Sequence, residues 1–197
     1  MNFLAHIYLS GEDDHLMVGN FIADSVRGKT FATYPETIQR GILLHRKIDA
    51  FTDSHDVVTA SKDRLRPEFG KWPPVIVDVF YDHFLAIHWD RYHDRPLPEF
   101  ARDVYSTLKE HYEFLPKRIQ GFLPYMTQGD WLYNYSKLSG IERALWGISR
   151  RSRYNPEMDR AVKNLREEFA GFEAEFLEFF PDLEAMVADE LAGELAR

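Results

Sequence analysis

The sequence contains no cysteine. This absence excludes disulfides, thiolate nucleophiles, zinc fingers and iron–sulfur clusters. No apolar run approaches the ~18 residues of a membrane span, and the first residues lack the basic start of a signal peptide. Glycine-rich phosphate loops and the motifs G-x-S-x-G and H-E-x-x-H are also missing. These absences predict a soluble protein, which we expect in the cytoplasm.

The composition is that of a folded protein with an uneven distribution of charge. The chain has 197 residues, of which 45% are hydrophobic and 15% aromatic, so it can bury a core and we expect one domain over 1–197. Residues 157–197 hold 12 of the 32 acidic residues and 4 of the 24 basic ones. The net charge of −8 therefore belongs to a C-terminal segment, predicted to form an acidic helix from about residue 156.

The hydrophobic periodicity is helical almost throughout, and no run alternates as a strand does. Leu165, Phe169, Phe172, Phe176 and Phe179 recur every three or four residues, which predicts a core-facing seam on the last helix. The predicted fold class is all-α, a single irregular helical domain. The predicted helices cover residues 16–27, 37–53, 74–91, 98–114, 117–126, 131–136, 141–150 and 156–180, with Pro181 breaking or restarting the last.

The helix predicted over 37–53 carries a polar pair on its apolar side. On a helical wheel His45 and Asp49 lie one turn apart, in the same sector as Ile38 and Ile42. A buried carboxylate is costly unless it is paired or bound to a metal. The pair therefore predicts either a metal site or a buried His–Asp hydrogen bond that joins two helices.

The next helix is apolar around its whole circumference, which predicts a central, buried position. It nevertheless carries Asp78 and Asp82 one turn apart, with His83 beside them. Two carboxylates on one stripe repel each other unless a cation intervenes. Oxygen and imidazole ligands suit Mg²⁺, Mn²⁺ or Fe²⁺. The alternative is that arginines or helix N-termini satisfy both carboxylates.

Further candidates lie elsewhere in apolar surroundings. His6 and Asp24 each follow a short apolar run, so both are predicted to face inward, with His6 either a hydrogen-bonded core residue or a ligand. Arg27, one turn beyond Asp24, is either a salt-bridge partner or a phosphate ligand. Asp53 and His55 are either polar caps at a helix end or outer ligands. Together these residues predict a helical metallohydrolase in which a metal activates water and nearby arginines bind a phosphoryl group.

Several blocks of the sequence resemble the acyl carrier protein phosphodiesterase family, from Met1 to about Leu183. The blocks are Met1-Asn2-Phe3-Leu4-Ala5-His6, Gly19-Asn20-Phe21-Ile22-Ala23-Asp24, Gly41-Ile42-x-x-His45-Arg46-x-Ile48-Asp49-x-Phe51-Thr52-Asp53, Asp78-Val79-x-x-Asp82-His83-Phe84-Leu85, Trp131-Leu132 and Phe179-Phe180-Pro181. The resemblance implies hydrolysis of the phosphodiester between 4′-phosphopantetheine and a serine of acyl carrier protein, with Mn²⁺ or Mg²⁺. It also implies a distant, permuted relation to the HD-domain phosphohydrolases, although the buried pair here is Asp82-His83 and not His-Asp.

The site predicted on this basis is assigned residue by residue. Asp82, His83, Asp24 and His6 or His45 are expected to hold the metal, with Fe²⁺ as a further candidate ion. Asp49, Asp78 and His45 are the expected catalytic residues, as further ligands, as groups that orient an imidazole, or as the general base. Arg27 and Arg46 are expected to neutralise the phosphoryl oxygens. Two alternatives stay open, a metal phosphohydrolase acting on a nucleotide or another small phosphodiester, and a helical interaction protein without catalysis.

The predicted partner is acyl carrier protein itself, with no nucleic acid and no membrane. Acyl carrier proteins are strongly acidic, so a net-negative enzyme must offer them a locally positive face. The expected docking patch is Arg150, Arg151 and Arg153, followed by Lys62, Arg64 and Arg66. The alternative is that each cluster is simply a solvated helix end.

Overall fold

The structure is a computed structural model that describes residues 1–195. Eleven α-helices and several 3₁₀ turns make up this part of the chain, and it contains no strand. The all-α prediction is therefore confirmed. The helices are α1 Phe3–Tyr8, α2 Asp14–Ile22, α3 Glu36–Ser54, α4 Asp56–Phe69, α5 Pro73–Ile87, α6 Leu97–Glu110, α7 Lys117–Gln128, α8 Trp131–Asn134, α9 Leu138–Arg151, α10 Val162–Glu167 and α11 Phe169–Leu195.

Most helix positions agree with the predictions, and the differences are local. Helix α2 ends at Ile22, and Ala23–Ser25 forms a 3₁₀ turn, so Asp24 lies outside the helix. Helices α1 and α4 were not predicted. The C-terminal segment divides into a 3₁₀ turn, α10 and α11, and Pro181 lies inside α11 without ending it. No helix within residues 1–195 is long and apolar enough to span a membrane.

Helix α5 lies at the centre of the core, as its apolar circumference predicts. Phe80, Tyr81, Phe84 and Leu85 are fully buried. The seam of α11 packs against it, because Phe172 meets Phe80 with ring centroids 5.3 Å apart. The predicted core role of the seam is therefore confirmed.

Helices α2 and α3 cross at two glycines. A Cβ on Gly19 would lie 2.1 Å from the carbonyl oxygen of Ile38, and one on Gly41 would lie 2.1 Å from that of Leu16. Real Cβ atoms do not approach a backbone oxygen so closely, so only glycine permits this crossing. The close approach places Asn20 of α2 beside His45 of α3.

Candidate metal centre

Four predicted residues from three parts of the chain meet in one cluster. Nε2 of His45 lies 3.3 Å from Oδ1 of Asp24 and 3.2 Å from Oδ2 of Asp49. Nε2 of His6 lies 3.1 Å from Oδ1 of Asp49, and the two imidazoles stack with centroids 3.8 Å apart. We call His6, Asp24, His45 and Asp49 the His–Asp cluster.

The orientation of the His45 ring is fixed by contacts at Nδ1, the nitrogen that faces away from the two carboxylates. Its Nδ1 lies 2.9 Å from the carbonyl oxygen of Asn20 and 3.2 Å from the Oδ1 atom of the same residue. Both partners are acceptors, so Nδ1 carries a proton and Nε2 is the nitrogen that could bind a metal after losing its own proton. Asn20 is itself held, because its amide donates to the carbonyl oxygen of His6 and to Ser10. A metal-binding histidine is typically held in this way.

The cluster has the composition and spacing of a divalent-metal site. One ligand atom each from His6, His45 and Asp49 can be chosen so that all three lie within 4.8 Å of one another. Ligands that share one ion at ~2.0–2.6 Å have separations of this size. Nε2 of His45 is buried and faces the oxygens of Asp24 and Asp49 at 3.3 and 3.2 Å, and Nδ1 of His6 is buried without a hydrogen-bond partner. Two carboxylates that converge on one imidazole nitrogen fit a cation.

The charges of the cluster shift its pKa values strongly. Burial and the charge of His45 lower the pKa of His6 to about 4, which keeps this ring neutral. Burial opposes the charged form of His45, but the carboxylates of Asp24 and Asp49 raise its pKa to about 9. Burial would raise the pKa of Asp49, but His45 and His6 hold it well below its usual range. The carboxylate charge thus favours a cation in this position.

Asp24 reaches the cluster from an exposed turn and not from a buried helix face. Its side chain is 77% exposed, which corrects the expectation that it faces inward. The hydrogen bond with His45 holds its pKa below the usual value. Asp24 is therefore the most accessible member of the cluster.

Asp82 does not reach the cluster. It is fully buried, and its oxygens accept hydrogen bonds from the backbone N–H groups of Asn2, Leu4 and Ala5 at 3.3, 2.8 and 3.2 Å. It therefore caps the N-terminus of α1, one of the alternatives open for a carboxylate on this helix. Burial raises its pKa to about 7 despite these hydrogen bonds. The assignment of Asp82 as a metal ligand is corrected by these contacts.

The assignment of His83 as a metal ligand is also corrected. Its Nδ1 lies 2.7 Å from the carbonyl oxygen of Tyr135, and its ring packs near Phe84 and Phe169. Burial lowers its pKa below the usual value. The residue holds α5 to the segment around Tyr135, and none of its contacts joins it to the His–Asp cluster.

Asp78 lies beside the cluster without joining it. Its Oδ1 accepts a hydrogen bond of 3.0 Å from the amino group of Met1, and that group lies 3.7 Å from Asp49. Burial alone would lower the pKa of this amino group, but Asp78 and Asp49 raise it. Burial raises the pKa of Asp78 above the usual value, although the amino group opposes the shift.

A cleft of about 730 Å³ opens onto this group of residues. Asp24, Asp49 and Asp78 line it, and so do three arginines, Arg118, Arg143 and Arg151. Its apolar walls include Phe3, Phe21, Val75, Val79, Phe122 and Trp131. The cleft is therefore large enough for a small organic molecule and carries charges of both signs.

The expected phosphate ligands and outer ligands are not among the residues that line the cleft. Arg27 is exposed, and Arg46 lies over the ring of Phe31 at 5.3 Å. Asp53 pairs with Lys62 at 2.8 Å, and His55 lies 3.3 Å from Asp182.

The basic residues expected at the docking patch belong to two clusters. Arg151 lines the cleft, Arg150 lies over the exposed ring of Trp146 at 5.4 Å, and Arg153 is exposed. The second cluster is engaged in ion pairs, Lys62 with Asp53, Arg64 with Glu168 and Glu175, and Arg66 with Asp63.

Sequence reasoning missed Asn20, Arg118 and the role of Arg143. A fully buried asparagine inside an apolar helix was the available signal for Asn20. Arg118 carried no such signal, because only the folded chain brings α7 to the cleft.

Comparison with known proteins agrees with the resemblance in the sequence. A family model described as acyl carrier protein phosphodiesterase matches residues 1–183. The chain belongs to the acyl carrier protein phosphodiesterase family. The protein of that name from Enterobacter sp. (strain 638) is 36% identical, over 92% of this chain and 94% of its own. The one from Yersinia pestis is 32% identical, over 93% of this chain and 95% of its own. The one from Photorhabdus laumondii is 30% identical over 92% of both chains. No solved structure matches this family member.

Proposed function

We propose that the protein hydrolyses the phosphodiester that joins 4′-phosphopantetheine to a serine of acyl carrier protein. The family match over residues 1–183 carries this proposal. A cleft that combines a His–Asp cluster, arginines and apolar walls agrees with it, because the substrate is a phosphodiester with a long, largely uncharged arm.

We propose that His6, His45, Asp49 and Asp24 hold a divalent metal. Two imidazoles and two carboxylates without a thiolate suit Mn²⁺, Mg²⁺ or Fe²⁺, and Mn²⁺ or Mg²⁺ is our assignment. When bound, such an ion supplies positive charge that stabilises phosphoryl oxygens and makes water a better nucleophile. Asn20 keeps His45 in the tautomer that this role needs.

Asp78 is our candidate for the general base. It lines the cleft beside Asp49, and burial raises its pKa, the direction that makes a carboxylate a better base. The apolar walls next to it would hold the pantetheine arm and exclude water from the scissile bond.

The docking face proposed for the carrier protein lies on α9, at the mouth of the cleft. Arg150 and the half-exposed Trp146 stack there, and Arg153 follows the helix. An arginine next to an exposed tryptophan is a common composition of an interface centre. Its arginines would meet the acidic surface of a carrier protein.

Conversion of holo-carrier protein to the apo form, followed by mass spectrometry, tests the proposed function. The wild-type protein with Mn²⁺ should release 4′-phosphopantetheine, and His45→Ala should lose at least ~100-fold in rate. His93→Ala, a histidine outside the cluster, is the matched control. The proposal would be refuted if the wild-type protein hydrolysed no holo-carrier protein with Mn²⁺, with Mg²⁺ or with Fe²⁺.

A further inference from the structure

Three arginines line the cleft without an acidic partner. Arg118 comes from α7, and Arg143 and Arg151 come from α9. Among the side chains of residues 1–193, no carboxylate lies within salt-bridge distance of any of them. Arg64, in contrast, contacts two glutamates, and Arg66 contacts an aspartate. The arginines of the cleft are thus available to an anion from outside.

Two of these arginines repel each other. Burial and the neighbouring charge of Arg118 lower the pKa of Arg151 below the usual value of an arginine. Like charges in a partly desolvated wall are unfavourable until a counter-charge enters between them. A bound anion would remove this cost, and guanidinium groups bind phosphate oxygens with two parallel hydrogen bonds.

Helix α9 leaves room between its arginines. Arg143, Gly147 and Arg151 are four residues apart and share one face of the helix. A Cβ on Gly147 would meet no atom within 4 Å, and Ala144 lines the same wall. The small residues therefore keep the space between the guanidinium groups open to a ligand.

The arginines line the same cleft as Asp78 of α5. The phenol of Tyr135 lines the cleft and experiences the charges of both Asp82 and Arg151. Burial and Asp82 raise its pKa well above the usual value, and Arg151 opposes this shift. Tyr135 thus connects the arginine wall with the helix that carries Asp78.

We propose that Arg118 and Arg151, with Arg143 beside them, form the subsite that binds the non-bridging oxygens of the substrate's phosphodiester. This inference rests on the proposed function and replaces Arg27 and Arg46, which lie outside the cleft, as phosphate ligands. It also moves Arg151 from the docking face to the substrate-binding wall. The ligand chemistry is a phosphate group that carries an uncharged arm.

Binding of the product separates this role from docking of the carrier protein. Isothermal calorimetry with 4′-phosphopantetheine and, separately, with apo-carrier protein needs no turnover. Arg118→Met and Arg151→Met should each raise the Kd for 4′-phosphopantetheine ~10-fold or more. They should leave the Kd for apo-carrier protein, which has no phosphodiester, within ~2-fold. Arg102→Met, an exposed arginine on α6, is the matched control for both ligands.

Two outcomes would overturn the inference. One is an unchanged Kd for 4′-phosphopantetheine in both variants. The other is an equal rise for apo-carrier protein, which would make these arginines docking residues. Arg118→Lys and Arg151→Lys keep the charge and serve if a methionine variant fails to fold. Lysine lacks the paired hydrogen bonds of a guanidinium, so each variant should still raise the Kd for 4′-phosphopantetheine, though less than methionine does. A Kd equal to that of the wild type would again refute the subsite. Failure of the proposed function would appear separately, as absence of holo-carrier hydrolysis by the wild-type protein.

Discussion

The carbonyl oxygen of Asn20 lies 2.9 Å from Nδ1 of His45. This contact connects two helices that cross at glycines, and it sets which nitrogen of His45 faces the two carboxylates.

Asn20→Ala tests this arrangement. The variant removes the side-chain acceptor of His45 and leaves Ser10 without its amide donor. We expect the affinity for Mn²⁺ to fall ~10- to 100-fold and the free energy of unfolding to fall by ~1–3 kcal/mol. Calorimetric titration with Mn²⁺ and urea unfolding measure the two effects. Asn164→Ala, an asparagine that bonds to Glu68 far along the chain, should leave Mn²⁺ affinity unchanged, and an equal loss in both variants would contradict the role of Asn20.

Thermal unfolding with and without Mn²⁺ tests the His–Asp cluster. An ion at 100 times its Kd stabilises the folded state by ~2.7 kcal/mol, so the wild-type Tm should rise with Mn²⁺ and return to its starting value with a chelator. His45→Ala and Asp49→Asn should lose this rise, because each removes a ligand from the cluster. His93→Ala should keep it. A full Mn²⁺-dependent rise in both cluster variants would place the metal elsewhere.

Asp82 is expected to stabilise the folded state and not to bind the metal. Asp82→Ala leaves three backbone N–H groups of the first residues without an acceptor, and should lower the free energy of unfolding by at least ~2 kcal/mol. Asp82→Asn should cost less, because an amide keeps one acceptor and resembles the protonated carboxyl, whose pKa is raised to about 7. Urea unfolding compares the two variants. Equal stability of Asp82→Ala and wild type, together with loss of Mn²⁺ binding, would return Asp82 to the metal site.

The two glycine environments offer a matched comparison. Gly41→Ala would force a Cβ against the carbonyl oxygen of Leu16 and push α3 away from α2, so we expect a loss of at least ~1–3 kcal/mol in unfolding free energy. Gly147→Ala meets open space and should gain ~0.5–1 kcal/mol from the helix preference of alanine. Chemical denaturation of both variants checks the signs. A stable Gly41→Ala protein with unaltered Mn²⁺ affinity would show that the close crossing does not position His45.

Charge reversal tests the docking face. Arg150→Glu should raise KM for holo-carrier protein and weaken its dependence on salt, while kcat stays close to that of the wild type. Screening at ~0.15 M salt reaches only ~8 Å, so the difference should be largest at low ionic strength. Arg102→Glu controls for the change in net charge. Wild-type kinetics of Arg150→Glu at low salt would exclude this face.

Most helices of this protein, though not α1 and α4, could be predicted from its sequence because their signals are local. Apolar periodicity placed α3 and α5, and it predicted the central position of α5. The six-residue α1 is too short for a periodic signal and forms because Asp82 accepts its first N–H groups. That capping contact spans 78 residues of sequence, so no local pattern predicts it.

The site could be predicted in part. A helical wheel placed His45 and Asp49 together because both lie on one helix. The same reasoning placed Asp78 and Asp82 on one stripe, but it could not tell which partner each carboxylate meets. In the structure Asp78 accepts a hydrogen bond from the amino group of Met1, and Asp82 accepts hydrogen bonds at the N-terminus of α1. The HD-like relation stays a prediction.

The capping of α1 by Asp82 makes formation of the proposed metal centre a cooperative event. His6 belongs to α1, a helix of six residues that has no stability of its own, so it reaches His45 only while α1 is docked on α5. Every opening of this N-terminal turn removes one imidazole from the cluster, and every ion bound there opposes the opening. The exchange rates of the Leu4 and Ala5 amide protons should therefore decrease when Mn²⁺ is added, far more than those of helices that contribute no ligand.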